Sequence, residues 1–147
     1  MESYKRILLA ADFGEYHQHV AQRAVDLAVR YGADLSLVHV VENIPTGDAG
    51  YGPIVPFDID LTEQLMEAAE KRMAVLGVEL GVPAERIRVE VGSPKHEIIR
   101  VAEEGAIDLI VLGSHGRHGI GLLLGSTASS VLHHAKCDVL AVRLRDE

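Results

Sequence analysis

Two stretches of the chain are apolar without interruption, ILLAA at residues 7–11 and LIVLG at residues 109–113. A strand that buries one face alternates apolar and polar residues, whereas an uninterrupted apolar run needs cover on both faces. Strands of this kind occur in parallel sheets that have helices on either side. The two stretches therefore predict the central strands of an α/β fold.

Alternation of short β-rich runs with helical periodicity predicts a single Rossmann-like domain over residues 1–147, with helices on both faces of a five-stranded parallel sheet. Right-handed crossovers with the first and fourth strands at the centre give the spatial order 3-2-1-4-5. The predicted strands are Lys5–Ala11, Leu35–Val41, Arg86–Val91, Leu109–Gly113 and Val139–Leu144. The predicted helices are His17–Tyr31, Leu61–Leu80, Pro94–Glu104 and Ser126–Ala135.

Apolar stripes and a cap signal define the faces and one end of these helices. Ser93 before Pro94 predicts an N-cap followed by a proline in the first turn of the third helix. The stripes predicted to pack on the sheet are Val20, Ala24, Leu27, Ala28 and Tyr31 in the first helix, Leu61, Leu65, Met73, Leu76 and Leu80 in the second, and Ala128, Val131, Leu132 and Ala135 in the fourth.

The net charge of −8 narrows the range of partners. An acidic surface repels phosphate backbones, so we expect no nucleic-acid or membrane partner. Cys137 is the single cysteine, which excludes an intramolecular disulfide and suits a reducing compartment. The sequence shows no signal-peptide pattern and no apolar run of membrane-spanning length, so the expected location is the cytoplasm.

One connection, Asn43–Asp60, is too long for a simple strand-to-helix turn and contains three prolines and three glycines. A surface loop, a ligand lid and a partner contact all fit this composition.

The stretch GSHGRHGIGLLLGST at residues 113–127 leads from the fourth strand into the fourth helix, at the edge where such sheets bind ligands. At the chain average of 22 carboxylates in 147 residues, the 25 residues from Gly113 to Cys137 would contain about four, and they contain none. A helix start supplies unpaired N–H groups and partial positive charge, to which Ser126, Thr127 and Arg117 add donors. This pattern predicts a phosphate site, with a glycine-rich surface turn as the alternative.

Common phosphate signatures do not fit this chain. No lysine precedes Ser126 as in a P-loop, and no Gly-x-Gly-x-x-Gly follows the first strand. Asp12 instead stands at the tip of the first strand, where it would accept from a ribose hydroxyl, hold a divalent cation beside phosphates, or serve as a turn residue. Adjacent His133 and His134 point about 100° apart on a helix and do not predict a metal site. His39 is predicted to be a hydrogen-bonded structural residue, and His17, His19 and His96 to lie at the surface.

Six motifs together resemble the universal stress protein family over nearly the whole chain: LAADFG, LVHVV, GSP, DLIVLGSHGR, LLLGSTA and KCDVLAVR. The resemblance implies the five-stranded nucleotide-binding fold of the adenine nucleotide alpha hydrolase-like type, a dimer, and a role in bacterial stress survival. The chain is similar to the ATP-binding branch rather than the branch that does not bind ATP.

By this resemblance, the adenine lies against the backbone near Val40 and the adenosine beside Ala10, Ala11 and Asp12. The phosphates would lie on Gly113, Ser114, His115, Gly116, Arg117, Gly125, Ser126 and Thr127. The implied ligand is ATP, with Mg²⁺ or Mn²⁺ if a triphosphate is bound. The family pattern has nine residues between the last two glycines, and this chain has eight between Gly116 and Gly125. ADP or AMP would therefore fit as well.

Three functions are open at this point. The first is an ATP-dependent regulator without catalysis that acts on an unknown protein partner. Two copies of this regulator would form a homodimer through the last strand, because the apolar edge of that strand needs cover. The second is a slow ATP hydrolase or self-phosphorylating protein centred on Asp12 and a divalent metal. The third is a nucleotide-free interaction protein in which the shorter loop closes the pocket.

Overall fold

The structure, a computed structural model, describes residues 3–42, 59–115 and 124–143. Its strands are β1 (Arg6–Ala10), β2 (Asp34–Glu42), β3 (Ile87–Gly92), β4 (Leu109–Gly113) and β5 (Asp138–Val142). Its α-helices are α1 (His17–Tyr31), α2 (Ile59–Leu80), α3 (Pro94–Glu104) and α4 (Ser126–His134), and a 3-10 turn, Ala84–Arg86, precedes β3. The sheet is parallel in the order β3-β2-β1-β4-β5, which confirms the predicted fold.

The two uninterrupted apolar runs form the centre of the sheet, as predicted. Ile7, Leu8 and Leu9 are at most 1% exposed, and Leu109–Leu112 are buried. Ile7 and Leu9 face one core with α1 and α2, while Leu8 faces a second core with α3 and α4. Both faces of the central strands are therefore covered by helices, which requires apolar residues at every position.

The predicted apolar stripes are wrong at their ends. Met73 and Leu76 of α2 are buried, but Leu61 and Leu65 are 41% and 40% exposed. The buried residues of α2 begin at Ala69, so the first turns of this helix, which include Leu61 and Leu65, do not pack into the core. Tyr31 and Leu132, also assigned to stripes, are both 42% exposed.

The start of α3 agrees with the prediction, and the backbone of Ser93 makes the hydrogen bonds there. Ser93 occupies the N-cap and Pro94 the first turn, but the Ser93 side chain makes no capping hydrogen bond. Its carbonyl oxygen accepts from the N–H groups of His96 and Glu97 at 3.1 and 2.9 Å instead. The backbone of Ser93 thus begins the helix without help from its hydroxyl.

Side-chain hydrogen bonds join the strands at their amino ends, which we call the amino edge. The Asp108 carboxylate accepts from the N–H groups of Lys5 and Arg6 at 2.9 and 3.1 Å. The Tyr4 hydroxyl donates to Asp138 Oδ2 at 2.6 Å. These bonds connect β1 with β4 and β5, so the amino edge is held by side chains as well as by the backbone ladder.

Candidate functional site

The opposite, carboxyl edge of the sheet contains the residues predicted to bind a ligand. Ala10 pairs with Val38 of β2, and Leu9 pairs with Val111 of β4. The Ala11 N–H continues the first ladder by donating to the Val38 carbonyl at 2.8 Å. Asp12 and Ser114 follow the carboxyl ends of β1 and β4, and Val40 lies near the carboxyl end of β2. Because these three strands are neighbours in one parallel sheet, the fold brings three distant sequence positions to the same end of the sheet.

Ser114 ties the end of β4 to the start of α4. Its N–H donates to the Val142 carbonyl at 2.8 Å, and its own carbonyl accepts the Gly125 N–H at 2.7 Å. Gly113 through His115 therefore adjoin Gly125, Ser126 and Thr127 at the carboxyl edge. Gly116 and Arg117, which are also predicted site residues, lie outside the described residues.

The start of α4 presents free donors. Gly125 is the N-cap, and the Ser129 N–H donates to its carbonyl at 2.8 Å, so the N–H groups of the first three helical residues have no partner within the helix. No acidic residue lies in the first turn. No carboxylate of this turn therefore neutralises the partial positive charge of the helix start, and an anion can bind there.

His115 brings an unpaired polar atom to the same place. Its Nδ1 is 3.0 Å from the Ser114 hydroxyl, while its Nε2 is buried without a hydrogen-bond partner among the described residues. Buried polar atoms in proteins are nearly always paired, because an unpaired one costs its lost hydration. The Nε2 atom is therefore a candidate for a ligand contact at this edge.

Asp12 has a structural role and a free oxygen. Its Oδ1 accepts the Gly14 N–H at 2.9 Å, which fits the turn role weighed for this residue. In the described part of the chain, Oδ2 has no hydrogen bond. The half-buried carboxylate is fixed by one oxygen and can offer the other to a donor.

Sequence reasoning missed the aromatic contacts around Phe13, which follows Asp12. The ring of Phe13 lies 5.0 Å from the ring of His39 and 5.5 Å from that of His17, and the Arg72 guanidinium lies 4.3 Å from its centre. The signal in the sequence was an aromatic residue between Asp12 and Gly14 at the end of a buried strand.

Four histidine predictions have different outcomes. His39 is the structural residue predicted, since its Nδ1 donates to the Ala11 carbonyl at 2.6 Å. His19 and His96 are exposed as predicted. His17 is not a surface residue: it is half-buried, and its Nδ1 is buried without a partner. The turn at Phe13 covers this ring, which the sequence did not indicate.

No group of three or more His, Cys, Asp or Glu side chains that could hold a metal ion occurs in residues 3–42, 59–115 and 124–143. A divalent cation at the carboxyl edge would have Asp12 as its carboxylate and would need the oxygens of a bound phosphate. Within the same ranges, no helix is both long and apolar enough to span a membrane.

Comparison with solved structures supports the observed topology. The structure superposes on that of hypothetical protein MJ0577 with a TM-score of 0.81 at 26% identity, covering 99% of this chain and 100% of that one. For the universal stress protein UspA from Lactobacillus plantarum, the TM-score is 0.78 at 28% identity, over 97% and 100% of the two chains. A universal stress protein solved in complex with cAMP gives a TM-score of 0.59 at 26% identity, over 96% and 98%.

Sequence comparison gives a closer relationship. Universal stress protein A homolog 2 of Coxiella burnetii is 42% identical over 146 residues, which are 99% of each chain. Homolog 1 of the same organism is 41% identical over 143 residues, 97% of this chain and 99% of that one. The model of the universal stress protein family matches residues 3–143. Because the family model and both relatives extend over nearly the whole chain, this protein belongs to the universal stress protein family.

Proposed function

We propose that the protein binds an adenine nucleotide, ATP first and ADP or AMP as alternatives, and acts as a nucleotide-dependent regulator in the stress response. The observation that carries the proposal is that Asp12, Val40 and Ser114 lie at the carboxyl ends of three neighbouring strands, and that Ser114 is hydrogen-bonded to Gly125 at the start of α4. A relative with 26% identity has been solved in complex with cAMP, which is itself an adenine nucleotide.

The described side chains suit the parts of such a ligand. The N–H groups and hydroxyls of Ser126 and Thr127 would bind phosphate oxygens, and His115 Nε2 would add a donor or acceptor. The free oxygen of Asp12 would accept a ribose hydroxyl. Val40 together with the backbone of Ala10 and Ala11 would offer an apolar surface and hydrogen-bonding groups to the base. Mg²⁺ or Mn²⁺ bound to a triphosphate would neutralise charge next to Asp12.

The proposed activity is binding rather than catalysis, and its proposed setting is the cytoplasm. Nucleotide occupancy would order the carboxyl edge and alter a surface read by a partner. A slow hydrolase would instead release phosphate in a metal-dependent way, and substituting Asp12→Asn would abolish that release. Phosphate release measured with and without Mg²⁺ separates the two functions.

We also propose that two copies pair through β5, the edge strand next to β4. Its central residues, Val139, Leu140 and Ala141, are half-buried. Pairing by a two-fold axis would cover this edge in both copies. Sedimentation of the purified protein should show a dimer, and Val139→Lys should shift it to a monomer; a wild-type monomer at micromolar concentration would contradict the proposal.

Titration calorimetry with ATP, ADP, AMP and cAMP tests the binding proposal, with GTP as a check on base recognition. The N-cap residue Gly125 has φ −65° and ψ 157°, which valine can adopt, so Gly125→Val should fold and obstruct the phosphate position. We expect affinity to fall about tenfold or more, or about 1.4 kcal/mol or more.

Asp12→Ala should weaken nucleotide binding by a similar factor, whereas Asp34→Ala is its matched control. Asp34 is an exposed carboxylate at the other end of β2 and should leave affinity unchanged. Flat titrations of the wild-type protein with all four adenine nucleotides would overturn the proposed function.

A further inference from the structure

Phe13 has an unusual backbone conformation for its residue type. Its φ is +56°, in the left-handed region that phenylalanine seldom occupies. Glycine takes this conformation without strain, yet the chain places its glycine one position later. Contacts of the Phe13 side chain must therefore hold the conformation in place.

Three side chains surround the Phe13 ring. The His39 ring packs edge-on at 5.0 Å, and His39 is itself anchored to the Ala11 carbonyl at 2.6 Å. His17 contributes a second ring contact at 5.5 Å. The Arg72 guanidinium of α2 lies 4.3 Å from the ring centre, in cation–π contact distance. Strand β2 and helices α1 and α2 all meet at this ring.

Arg72 has no carboxylate partner in the described part of the chain, although α2 is rich in glutamates. The ring of Phe13 is therefore the contact that orients this exposed guanidinium. A cation–π contact requires the cation to lie over the face of the ring. The contact with Arg72 therefore restrains the orientation of the Phe13 ring.

The orientation of Asp12 depends on the Phe13 backbone. The hydrogen bond from the Gly14 N–H to Asp12 Oδ1, at 2.9 Å, closes a small ring that includes Phe13. A change of Phe13 to helical or extended dihedral angles would move the Gly14 N–H away from Asp12. The free oxygen of Asp12 would then lose its fixed direction at the carboxyl edge.

We propose that Phe13, held between the His39 ring and the Arg72 guanidinium, is a positioning residue for Asp12 in the nucleotide site. This inference rests on the proposed function and extends it, because it assigns to α2 a part in forming the site. Phe13 and Arg72 act through Asp12 and need no contact with the nucleotide.

The test compares two ligands. ATP would use both Asp12 and the phosphate-binding groups at His115 and the start of α4, whereas inorganic triphosphate, titrated without divalent metal, would use the phosphate-binding groups alone. In Phe13→Ala, where alanine removes the ring but keeps the cost of a positive φ, we expect ATP affinity to fall about tenfold, or about 1.4 kcal/mol, with triphosphate affinity unchanged. The double variant with Asp12→Ala should bind ATP no more weakly than Asp12→Ala alone, since both changes remove the same interaction.

Substitutions at the exposed Arg72 test the cation–π contact, with Arg72→Lys as the conservative variant and the neighbouring Lys71 as the matched control position. Arg72→Gln should weaken ATP binding about threefold, and Arg72→Lys, which keeps a cation near the ring, should retain most of the affinity. Lys71→Gln, the same loss of charge one residue away, should have no effect. Equal loss of ATP and triphosphate binding, or full ATP affinity in Phe13→Ala, would overturn the inference.

A second measurement needs no nucleotide. Hydrogen exchange of the Gly14 amide reports its bond to Asp12, and it should be faster in Phe13→Ala and Arg72→Gln than in the wild type or Lys71→Gln. If the wild type binds no adenine nucleotide, the proposed function fails, while this exchange rate still decides whether Phe13 orients Asp12. Unchanged exchange in both variants would overturn the inference by itself.

Discussion

The two edges of the sheet differ in how their polar groups are paired. At the amino edge, Asp108 accepts two backbone N–H groups, and Tyr4 donates to Asp138. At the carboxyl edge, His17 Nδ1 and His115 Nε2 are buried without partners in the described part of the chain. Paired groups fasten strands to one another, whereas unpaired buried groups cost stability. The comparison shows that side chains stabilise the strand ends at the amino edge, whereas the carboxyl edge carries polar groups whose burial is not compensated among the described residues.

The largest effect is expected at Asp108. Asp108→Ala leaves the N–H groups of Lys5 and Arg6 without their acceptor, so the free energy of unfolding should fall by about 2 kcal/mol. Urea unfolding measures this change. Nucleotide affinity should be unaffected, because Asp108 lies at the amino edge. Asp34 is an exposed carboxylate at the same edge, and Asp34→Ala should change the free energy of unfolding by less than about 0.5 kcal/mol. Equal losses in both variants would show that the hydrogen bonds of Asp108 do not stabilise the amino edge.

Substitution of His17 should have the opposite sign. His17→Leu replaces an imidazole whose buried Nδ1 has no partner in the described part of the chain, so the free energy of unfolding should stay unchanged or rise by about 1 kcal/mol. His115→Leu removes the buried Nε2 but also the 3.0 Å contact of Nδ1 with the Ser114 hydroxyl, so the free energy of unfolding should stay about unchanged. His96→Leu, at an exposed position of α3, is the control. A loss of stability above about 1 kcal/mol in His17→Leu would mean that Nδ1 of this imidazole is paired after all.

A smaller effect is expected at Tyr4, and it should depend on pH. The hydrogen bond to Asp138, followed by desolvation and the negative charge of Asp138, raises the pKa of Tyr4 from 10.0 to about 12. A pKa raised by folding stabilises the protein below pH 10, and this contribution is lost as the pH rises to 12. Because the hydroxyl is largely exposed, Tyr4→Phe should cost a few tenths of a kcal/mol at neutral pH and flatten the decline between pH 10 and 12. Identical pH profiles of the two proteins would contradict this.

The smallest effect concerns Cys137, which lines an apolar cavity of about 110 Å³ between α3 and the end of α4. Burial raises the pKa of this thiol, and the neighbouring carboxylates Asp138 and Asp108 raise it further. Less thiolate forms at a given pH, so alkylation by iodoacetamide at pH 8 should be severalfold slower than that of free cysteine. Reaction as fast as free cysteine would show that the amino edge opens readily.

The fold was accessible from the sequence because its strongest signals are local. The two uninterrupted apolar runs identify the central strands, and four segments with helical periodicity connect the strands. Because such connections are right-handed, these elements determine the order of the strands in the sheet. The exposed Leu61 and Leu65 were not predicted, since periodicity identifies a helix face but not the length of sheet beneath it. The N-cap at Ser93 was predicted correctly, because propensity identifies the position, whereas the local backbone decides which atom of the residue accepts the hydrogen bonds.

The candidate site was partly accessible. Glycines, hydroxyls and the absence of acids marked the segment from Gly113 to Thr127, and the position after β1 marked Asp12. The contacts of Phe13 with His17, His39 and Arg72 could not be predicted, because they join a turn to three elements that are separate in sequence, α1, β2 and α2. Only the three-dimensional arrangement shows that a residue of α2 approaches the turn of Asp12.

The strand order also has a consequence for the time course of folding. The ladder between β1 and β2 joins residues 28 apart, such as Arg6 and Asp34, whereas the ladder between β1 and β4 joins Ile7 to Leu109, 102 positions later. During synthesis, the nascent chain can therefore pair its first two strands early, but the middle of the sheet must wait until three quarters of the protein has left the ribosome. Until then, one side of β1 stays unpaired and exposed to association with other chains.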